Sequence, residues 1–400
     1  MARVVSGTTV GIVGGGPAGL MLSHLLQLAG IDSVVIETRS RRQIEETPRA
    51  GILEQGSVRL LVDSGVSDRV LRDGHEHRGI SLRFGGVGHR IDFQALAGAS
   101  CWLYPQTDVF VDLAAARERD GGDVRYAVTD TAVVDVTNER PAMLFTDADR
   151  IQHEVRCTLL VGADGSRSMT RGAVGGRRDY FREYPFAWFG IMCEAPPSAP
   201  ELIYTRSDRG FALISQRTES VQRMYFQCSP RENVDDWSQE RIWSELQGRL
   251  AGEDGFRLQE GRIFDKSVLP FRSYVCEPMR YGNLLLAGDA AHTVPPTGAK
   301  GLNLALADAR VLAEVLERVV NSGDRDMLDA YPERALSRVW RAQHFSYWMT
   351  TMLHSTRGYS AVDAGQFDER RQLAELASVT GSVHGAAYLA EGYTGWSGSR

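Results

Sequence analysis

The chain has 400 residues, of which 43% are hydrophobic and 24% charged, with a net charge of −6. This composition excludes a disordered or fibrous protein, and the length allows a large core and two or three domains. The acidic balance and the scattered basic residues argue against nucleic acid or an anionic membrane surface as the main partner.

In chain order, the first informative stretch is "TTVGIVGGGPAGLMLSHLLQLAGIDSVVIETR". Val10, Ile12 and Val13 read as a short buried strand, and Gly14, Gly16 and Gly19 form GxGxxG. From Pro17 the pattern turns helical, with Leu20, Leu22, Leu25, Leu26 and Leu28 as its apolar residues. Gly30 ends that helix, "SVVIE" is a second strand, and Glu37 closes it. The three glycines serve different ends. Gly14 allows a tight turn, Gly16 lets backbone approach a pyrophosphate, and Gly19 lets helix pack on strand. The helix N-terminus offers free N–H groups to phosphates, and Glu37 can accept hydrogen bonds from ribose hydroxyls. The expectation is a dinucleotide site.

Further along, "GISLRFGGVGHRIDF" near residues 78–95 reads as a small strand insertion. "CTLLVGADGSRSMTR" is an apolar strand that ends in Gly162-Ala163-Asp164-Gly165. "AWFGIMCEA", "ELIYTR", "GFALISQR" and "RMYFQCS" are short alternating runs, as expected of an antiparallel sheet. "DWSQERIWSELQGRL" reads as a helix with Asp236 as its N-cap. "NLLLAGD" leads into "GDAAHTVPPTGAKGLNLALAD", where Pro295 and Pro296 stiffen the chain before a helix that starts near residues 299–303. Leu304, Val311, Leu312, Val315, Leu316 and Val319 form that helix's apolar face, with Gly323 just beyond. Trp340, Phe345, Trp348, Met349 and Met352 form a later stripe suited to a core or a dimer interface. The polar "TGWSGSR" at the end should fray. The expected division is 1–181, 182–287 and 288–400. Cys101, Cys157, Cys193, Cys228 and Cys276 are widely spaced without a CxxC pair, so neither a disulfide framework nor a metal site is expected. They fit a reducing cytoplasm. No apolar run reaches the ~18 residues of a membrane span, and no signal-peptide core precedes the first strand.

The N-terminal GxGxxG, central Asp-Gly and late Gly-Asp, in this order and spacing, resemble the flavoprotein aromatic hydroxylases (group A monooxygenases). "RAGILEQGSVRLL", "YPQTDV", "ELIYTRSDRGFALISQR", "YFQCSP", "LPFRSYVCEPM" and "GDAAHTVPPTGAKGLNLA" narrow the resemblance to the members that act on 4-hydroxybenzoate. It runs from about residue 8 to about residue 395. The resemblance implies an α/β fold: a Rossmann-like FAD-binding domain, an antiparallel-sheet substrate domain and a helical C-terminal region. It implies FAD as cofactor, NADPH or NADH as co-substrate, a small aromatic acid and O2 as reactants, and a homodimer. In that family a flavin hydroperoxide delivers one oxygen atom to the ring position ortho to the hydroxyl.

The resemblance also assigns residues. Gly14, Gly16, Gly19 and Glu37 would hold the ADP half of FAD. Gln106 and Asp289 would contact the flavin chain, and the backbone after Gly298, with Leu302 and Asn303, the ring. Asp164 would serve the region shared by flavin and nicotinamide. Arg49 would lie near both, and Arg171 and Arg272 would meet the nicotinamide cofactor's phosphates. Ser215, Arg217 and Tyr225 would clamp the substrate carboxylate, Arg217 through a planar fork suited to a benzoate. Tyr204 would hydrogen-bond the phenol, Tyr393 would extend the chain of hydroxyls, and His77, with a near-neutral pKa, would pass the proton to solvent. The Pro296 carbonyl and Thr297 would complete the pocket beside the reacting carbon.

Two stretches depart from the family pattern. In "TRSRRQIEET", Thr38 stands where an arginine often follows the acid; Arg41 and Arg42 could compensate, or Glu45 and Glu46 could repel a 2′-phosphate. Ser166-Arg167 stand where an aromatic and a histidine are often found. NADPH and NADH both stay open. The alternatives are the same chemistry on a 4-amino- or dihydroxybenzoate, a flavin-linked reductase or oxidase without oxygen insertion, and a non-catalytic FAD-binding regulator.

Overall fold

The computed structural model describes residues 3–355 and 365–396. Among these, the strand Val4–Val13 sits inside an eight-stranded sheet, parallel to Ser33–Ile36 on one side and to Gln152–Gly162 on the other. It is longer than its apolar run, because the exposed N-terminal half pairs with Gln152–Gly162 from Val4↔His153 onward. Asp123–Arg125 and Leu284–Leu286 extend the two sides of this sheet in parallel. The crossover helix Pro17–Leu28 packs against the helices Gln106–Arg119 and Gly301–Ser322. Burial on both faces is what a parallel sheet requires, and it explains the near-continuous apolar runs in these strands. Leu28, expected on the apolar face, is exposed instead.

A second eight-stranded sheet is built on the long antiparallel pair Arg178–Glu194 and Arg262–Glu277. Val221–Cys228, Gly210–Gln216 and Leu202–Ser207 follow in order. The far edge is the hairpin Gly79–Phe84 with Val87–Asp92, joined in parallel to Leu202–Ser207. The strands read near residues 78–95 therefore belong to the second sheet, where Ile80 and Leu82 are buried with Leu202 and Tyr204. Arg178–Glu194 runs across residues 181–182, and Leu284–Leu286 returns to the first sheet. A small third sheet joins Ile52–Glu54, Cys101–Leu103 and His75–His77.

One core surrounds the first sheet. A second lies between the second sheet and the C-terminal helices. A third covers the other face of that sheet with the helix Gln239–Leu250. Ser238, not Asp236, caps that helix: its side chain accepts the Arg241 N–H at 3.2 Å, while Asp236 lies in the preceding 3-10 turn Val234–Asp236. The helix Gly301–Ser322 buries Leu304, Val311, Leu312, Val315, Leu316 and Val319 and ends at Gly323 in the left-handed region, φ 74°. In the helix Ala330–Leu353, Phe345, Met349 and Met352 are core, but Trp340 is exposed, with its N–H on Glu277. Residues 397–400 of the polar end lie outside the described residues. Among the described residues, no helix is long and apolar enough to cross a membrane.

Candidate active site

The glycine fingerprint folds as its chemistry demands. Gly14 has φ 111°, and a Cβ there would lie 2.2 Å from the Ala163 carbonyl oxygen. A Cβ at Gly19 would lie 1.9 Å from the Gly14 carbonyl oxygen, so helix and turn touch through backbone. At Gly16 a Cβ would meet nothing within 4 Å, which leaves open space in front of the helix N-terminus. No side chain caps that helix, so its first N–H groups face this space. Glu37 is buried, and its carboxylate accepts the Gly15 N–H at 2.9 Å and the Arg39 N–H at 3.0 Å. The glycine turn thus aims the acid.

Across this space lies the 3-10 turn Gly288–Ala290. Asp289 is accessible between buried Gly288 and Ala290. Desolvation by the surrounding protein still holds its pKa above the usual carboxylate range, against the pull of His292, Arg49 and Arg272. Arg49 and Arg272 are exposed. Gln106 is half-buried at the start of its helix, and a Cβ at Gly51 would lie 2.6 Å from the Gln106 nitrogen, so these two loops are in contact.

The helix Gly301–Ser322 also lacks a side-chain cap at its N-terminus, which leaves the N–H groups of its first turn, at Leu302 and Asn303, without side-chain partners. The Asn303 side chain is fully engaged. Its Oδ1 accepts from Glu54 N at 2.9 Å and Ser57 Oγ at 2.7 Å, and its Nδ2 donates to the Ile52 and Ala299 carbonyls, both at 2.9 Å. Two uncapped helix N-termini, a buried acid behind the glycine turn and an accessible carboxylate fit an FAD molecule.

Asp164 and Arg171 are engaged elsewhere. The Asp164 carboxylate accepts from Ser168 Oγ, Met169 N, Thr170 N and Thr170 Oγ1 at 2.6–2.9 Å. It holds the turn after the strand, which leaves only its backbone for a cofactor. Arg171 donates to the Ala290 and Ser166 carbonyls at 3.1 and 2.9 Å and stacks 4.5 Å from the Tyr274 ring centroid.

The second sheet supplies the other wall. Its register aligns Tyr204 with Leu213, Leu213 with Tyr225, and Tyr225 with Gly190. Opposed residues share a sheet face, so Tyr204 and Tyr225 stand on one face about 10 Å apart. Ser215, two residues past Leu213, shares that face, and its hydroxyl donates to the Arg223 carbonyl at 2.7 Å. Arg217 follows the strand end, half-buried, its pKa lowered by desolvation and by neighbouring Arg223. Arg223 places its guanidinium 5.3 Å from the Tyr225 ring centroid, and its Nη1 is buried without a hydrogen-bond partner among the described residues. Asp108 is the carboxylate facing Arg217, so this end of the pocket carries two cations against one anion.

At the other end the Tyr204 and Tyr393 hydroxyls lie 2.8 Å apart, both buried. Desolvation raises both pKa values, so both are neutral phenols at pH 7. Lys300, 2% exposed, donates to Glu54 at 2.6 Å and to the Tyr393 carbonyl at 2.8 Å, tying the helix Val383–Thr394 to the strand Ile52–Glu54. The Pro296 carbonyl accepts from Ala299 N at 2.9 Å, and the Thr297 hydroxyl lies 2.9 Å from that of Thr350. A Cβ at Gly298 would lie 2.7 Å from Ser346 Oγ, so this loop is pressed against the helix Ala330–Leu353.

His77 differs from expectation. It is 1% exposed on the strand His75–His77, and desolvation lowers its pKa to about 4 rather than leaving it near neutral. Among the described residues, neither ring nitrogen has a hydrogen-bond partner, so His77 is not joined directly to Tyr393. Arg223, Lys300 and Glu54 join the site without a distinctive sequence mark. A strand arginine two residues before Tyr225, and a lysine inside the glycine-rich loop, are the only signals.

A glycine-rich dinucleotide cradle together with a sheet face that carries tyrosines and arginines is the arrangement of a flavoprotein hydroxylase. The chain belongs to that FAD-binding family: the family model described as FAD binding domain matches residues 7–346. It is 42% identical to p-hydroxybenzoate hydroxylase of Acinetobacter baylyi, over 97% of this chain and 95% of that protein. It is 30% identical to 6-methylpretetramide 4-monooxygenase of Streptomyces rimosus, over 88% of this chain and 86% of that one. The solved structure of p-nitrophenol 4-monooxygenase from Pseudomonas putida matches with a TM-score of 0.78 at 20% identity, over 99% of this chain and 100% of that one. A Diels-Alderase of pyrroindomycin biosynthesis matches with a TM-score of 0.76 at 26% identity, over 98% and 81%. One fold thus hosts different chemistries, and side chains must carry the assignment of a reaction.

Proposed function

We propose that this enzyme hydroxylates 4-hydroxybenzoate at the 3-position to give 3,4-dihydroxybenzoate. The observation that carries this reading is the polarity of one sheet face: Arg217 and Arg223 with Tyr225 at one end, and the Tyr204–Tyr393 hydroxyl pair at the other. A para-substituted ring with an anionic end and a phenolic end matches that polarity. Arg217 and Tyr225 bind the carboxylate, and Ser215 joins them by turning its hydroxyl from the Arg223 carbonyl to the ligand. Tyr204 hydrogen-bonds the phenolic oxygen, backed by Tyr393, and favours the electron-rich phenolate. The buried aromatic cluster around them excludes water. The bound flavin supplies reduction by the nicotinamide and transfer of one oxygen atom from O2.

The co-substrate in this reading is NADH. Arg41 donates to Glu45 at 2.7 Å and Glu118 at 2.8 Å, and Arg42 to Glu46 at 2.6 Å. A 2′-phosphate would have to displace carboxylates to reach these arginines. A cytoplasmic homodimer completes the proposal; five unpaired, buried cysteines suit a reducing compartment, and light scattering tests the dimer.

Binding to the holoenzyme, followed through flavin absorbance, tests the site. 4-Hydroxybenzoate should bind at least about tenfold tighter than 4-hydroxybenzamide, which lacks the charge. Equal affinities would overturn the carboxylate clamp.

A further inference from the structure

We infer that His292 and Asp308 form a buried charge pair that positions the Asp289 turn between two helix N-termini for flavin binding. The inference rests on the FAD cofactor and not on the identity of the aromatic substrate.

The geometry is specific. Asp308 lies on the helix Gly301–Ser322, whose N-terminus has no side-chain cap. One carboxylate oxygen, Oδ2, accepts both the Gly288 N–H at 2.9 Å and His292 Nε2 at 2.7 Å. Both side chains are 1% exposed. Asp308 therefore grips the turn Gly288–Ala290 from either side of Asp289. Gly288 is in the left-handed region, φ 60°, and a Cβ there would lie 3.3 Å from Ala305 Cβ and 3.4 Å from Ala18 Cβ. Ala18 and Ala305 belong to the two helices with uncapped N-termini, which would hold the cofactor. The turn is thus wedged where the pyrophosphate helix and the ring helix meet, and Asp308 sets its register against both.

The charges support this role. Asp289 and Asp308 place two carboxylates beside a ligand that itself carries phosphates. Burial alone would lower the His292 pKa, but the facing Asp308, the hydrogen bond to it, and Asp289 together raise it. The other charged or titratable groups facing the pair are Arg338 and Tyr331, on the helix Ala330–Leu353, and Arg49 and Arg272 act on Asp289 from the outer side. A cationic His292 offsets one carboxylate where an anionic cofactor must bind. Asp308 Oδ1 and Arg338 Nη1 are both buried without a hydrogen-bond partner among the described residues, so Arg338 offsets Asp308 through charge alone, while His292 is the cation hydrogen-bonded to it.

The pair acts through Asp289 and is a positioning element. Apoprotein of Asp308→Asn and His292→Gln would be titrated with FAD, and the flavin midpoint potential of each holoprotein measured. Asp308→Asn should loosen FAD by about tenfold or more. His292→Gln keeps a donor but loses the charge; it should loosen FAD less and move the potential to a more negative value, since reduced flavin loses a nearby cation. Leu312→Ala, a core truncation in the same helix, should lower stability without moving the potential. If Asp308→Asn does not fold, His292→Gln decides alone. Unchanged FAD affinity and potential in His292→Gln would overturn the proposal and leave the pair a stability element. The titration needs no aromatic substrate, so its outcome is independent of the proposed reaction.

Discussion

A single methyl group at Gly190 should damage substrate binding while sparing the cofactor. A Cβ at this position would lie 2.8 Å from Tyr225 Cε1, 3.0 Å from Cδ1 and 3.3 Å from Ser267 Oγ. Carbon–carbon contact is optimal at about 3.5–4.0 Å, so the ring has to give way by roughly 0.7 Å. Tyr225 is 5% exposed, with Trp188 5.0 Å away and Arg223 5.3 Å away, so little slack exists except toward the pocket. Overpacking of this kind costs about 1–3 kcal/mol of stability. Moving the hydroxyl off a carboxylate forfeits a charge-assisted hydrogen bond of about 1.5–3 kcal/mol, which is about 10–150-fold in affinity. Gly190→Ala should therefore raise the Kd and KM for 4-hydroxybenzoate by at least about tenfold, with FAD affinity changed by less than about twofold. Flavin-absorbance titration and steady-state kinetics measure both. An unchanged KM in a folded, flavin-loaded variant would refute the placement of Tyr225 in the carboxylate clamp.

Tyr204→Phe should cut hydroxylation by about 100-fold while FAD binding persists; product formation at the parent rate would remove Tyr204 from the phenol site. Replacing Glu45 and Glu118 by Gln frees Arg41, and should raise kcat/KM for NADPH relative to NADH by about 3–10-fold. An unchanged ratio would show that these carboxylates do not set the preference. His354 predicts an acid sensitivity. Desolvation lowers its pKa to about 3, with its Nε2 accepting the Trp188 indole N–H at 2.7 Å. Because the unfolded chain binds this proton near pH 6.5 and the folded protein does not, stability falls as pH drops below about 6.5, by about 2 kcal/mol at pH 5. Urea unfolding at pH 7 and pH 5 should show that loss, and His354→Gln should reduce it; an identical pH dependence in the variant would contradict the assignment.

The parts of the site legible in the sequence are those whose geometry is local. Gly14 and Gly19 are readable because a turn and a helix in contact within six residues admit no side chain. Ser215 and Tyr225 are legible only through the resemblance, since neither has a local signal beyond strand alternation. Non-local pairing hides the rest. The hairpin of residues 79–92 looks like part of the first unit until it pairs with Leu202–Ser207, more than a hundred residues away. Asp164 and Asn303 stand at positions that the motifs mark for cofactor contact, but both side chains are used up by backbone and hydroxyl partners. His77 has the residue type of a proton carrier, but burial, which the sequence does not display, lowers its pKa to about 4. Asp236 and Ser238 are both good caps, and only the extended backbone at Ser238 decides between them.

The most direct test is the stoichiometry of turnover with the flavin-loaded enzyme, NADH, O2 and 4-hydroxybenzoate. The acid should accelerate NADH oxidation, and 3,4-dihydroxybenzoate should form in near-equal amount. Oxidation that ignores the acid, or that yields only hydrogen peroxide, would contradict the proposed hydroxylation.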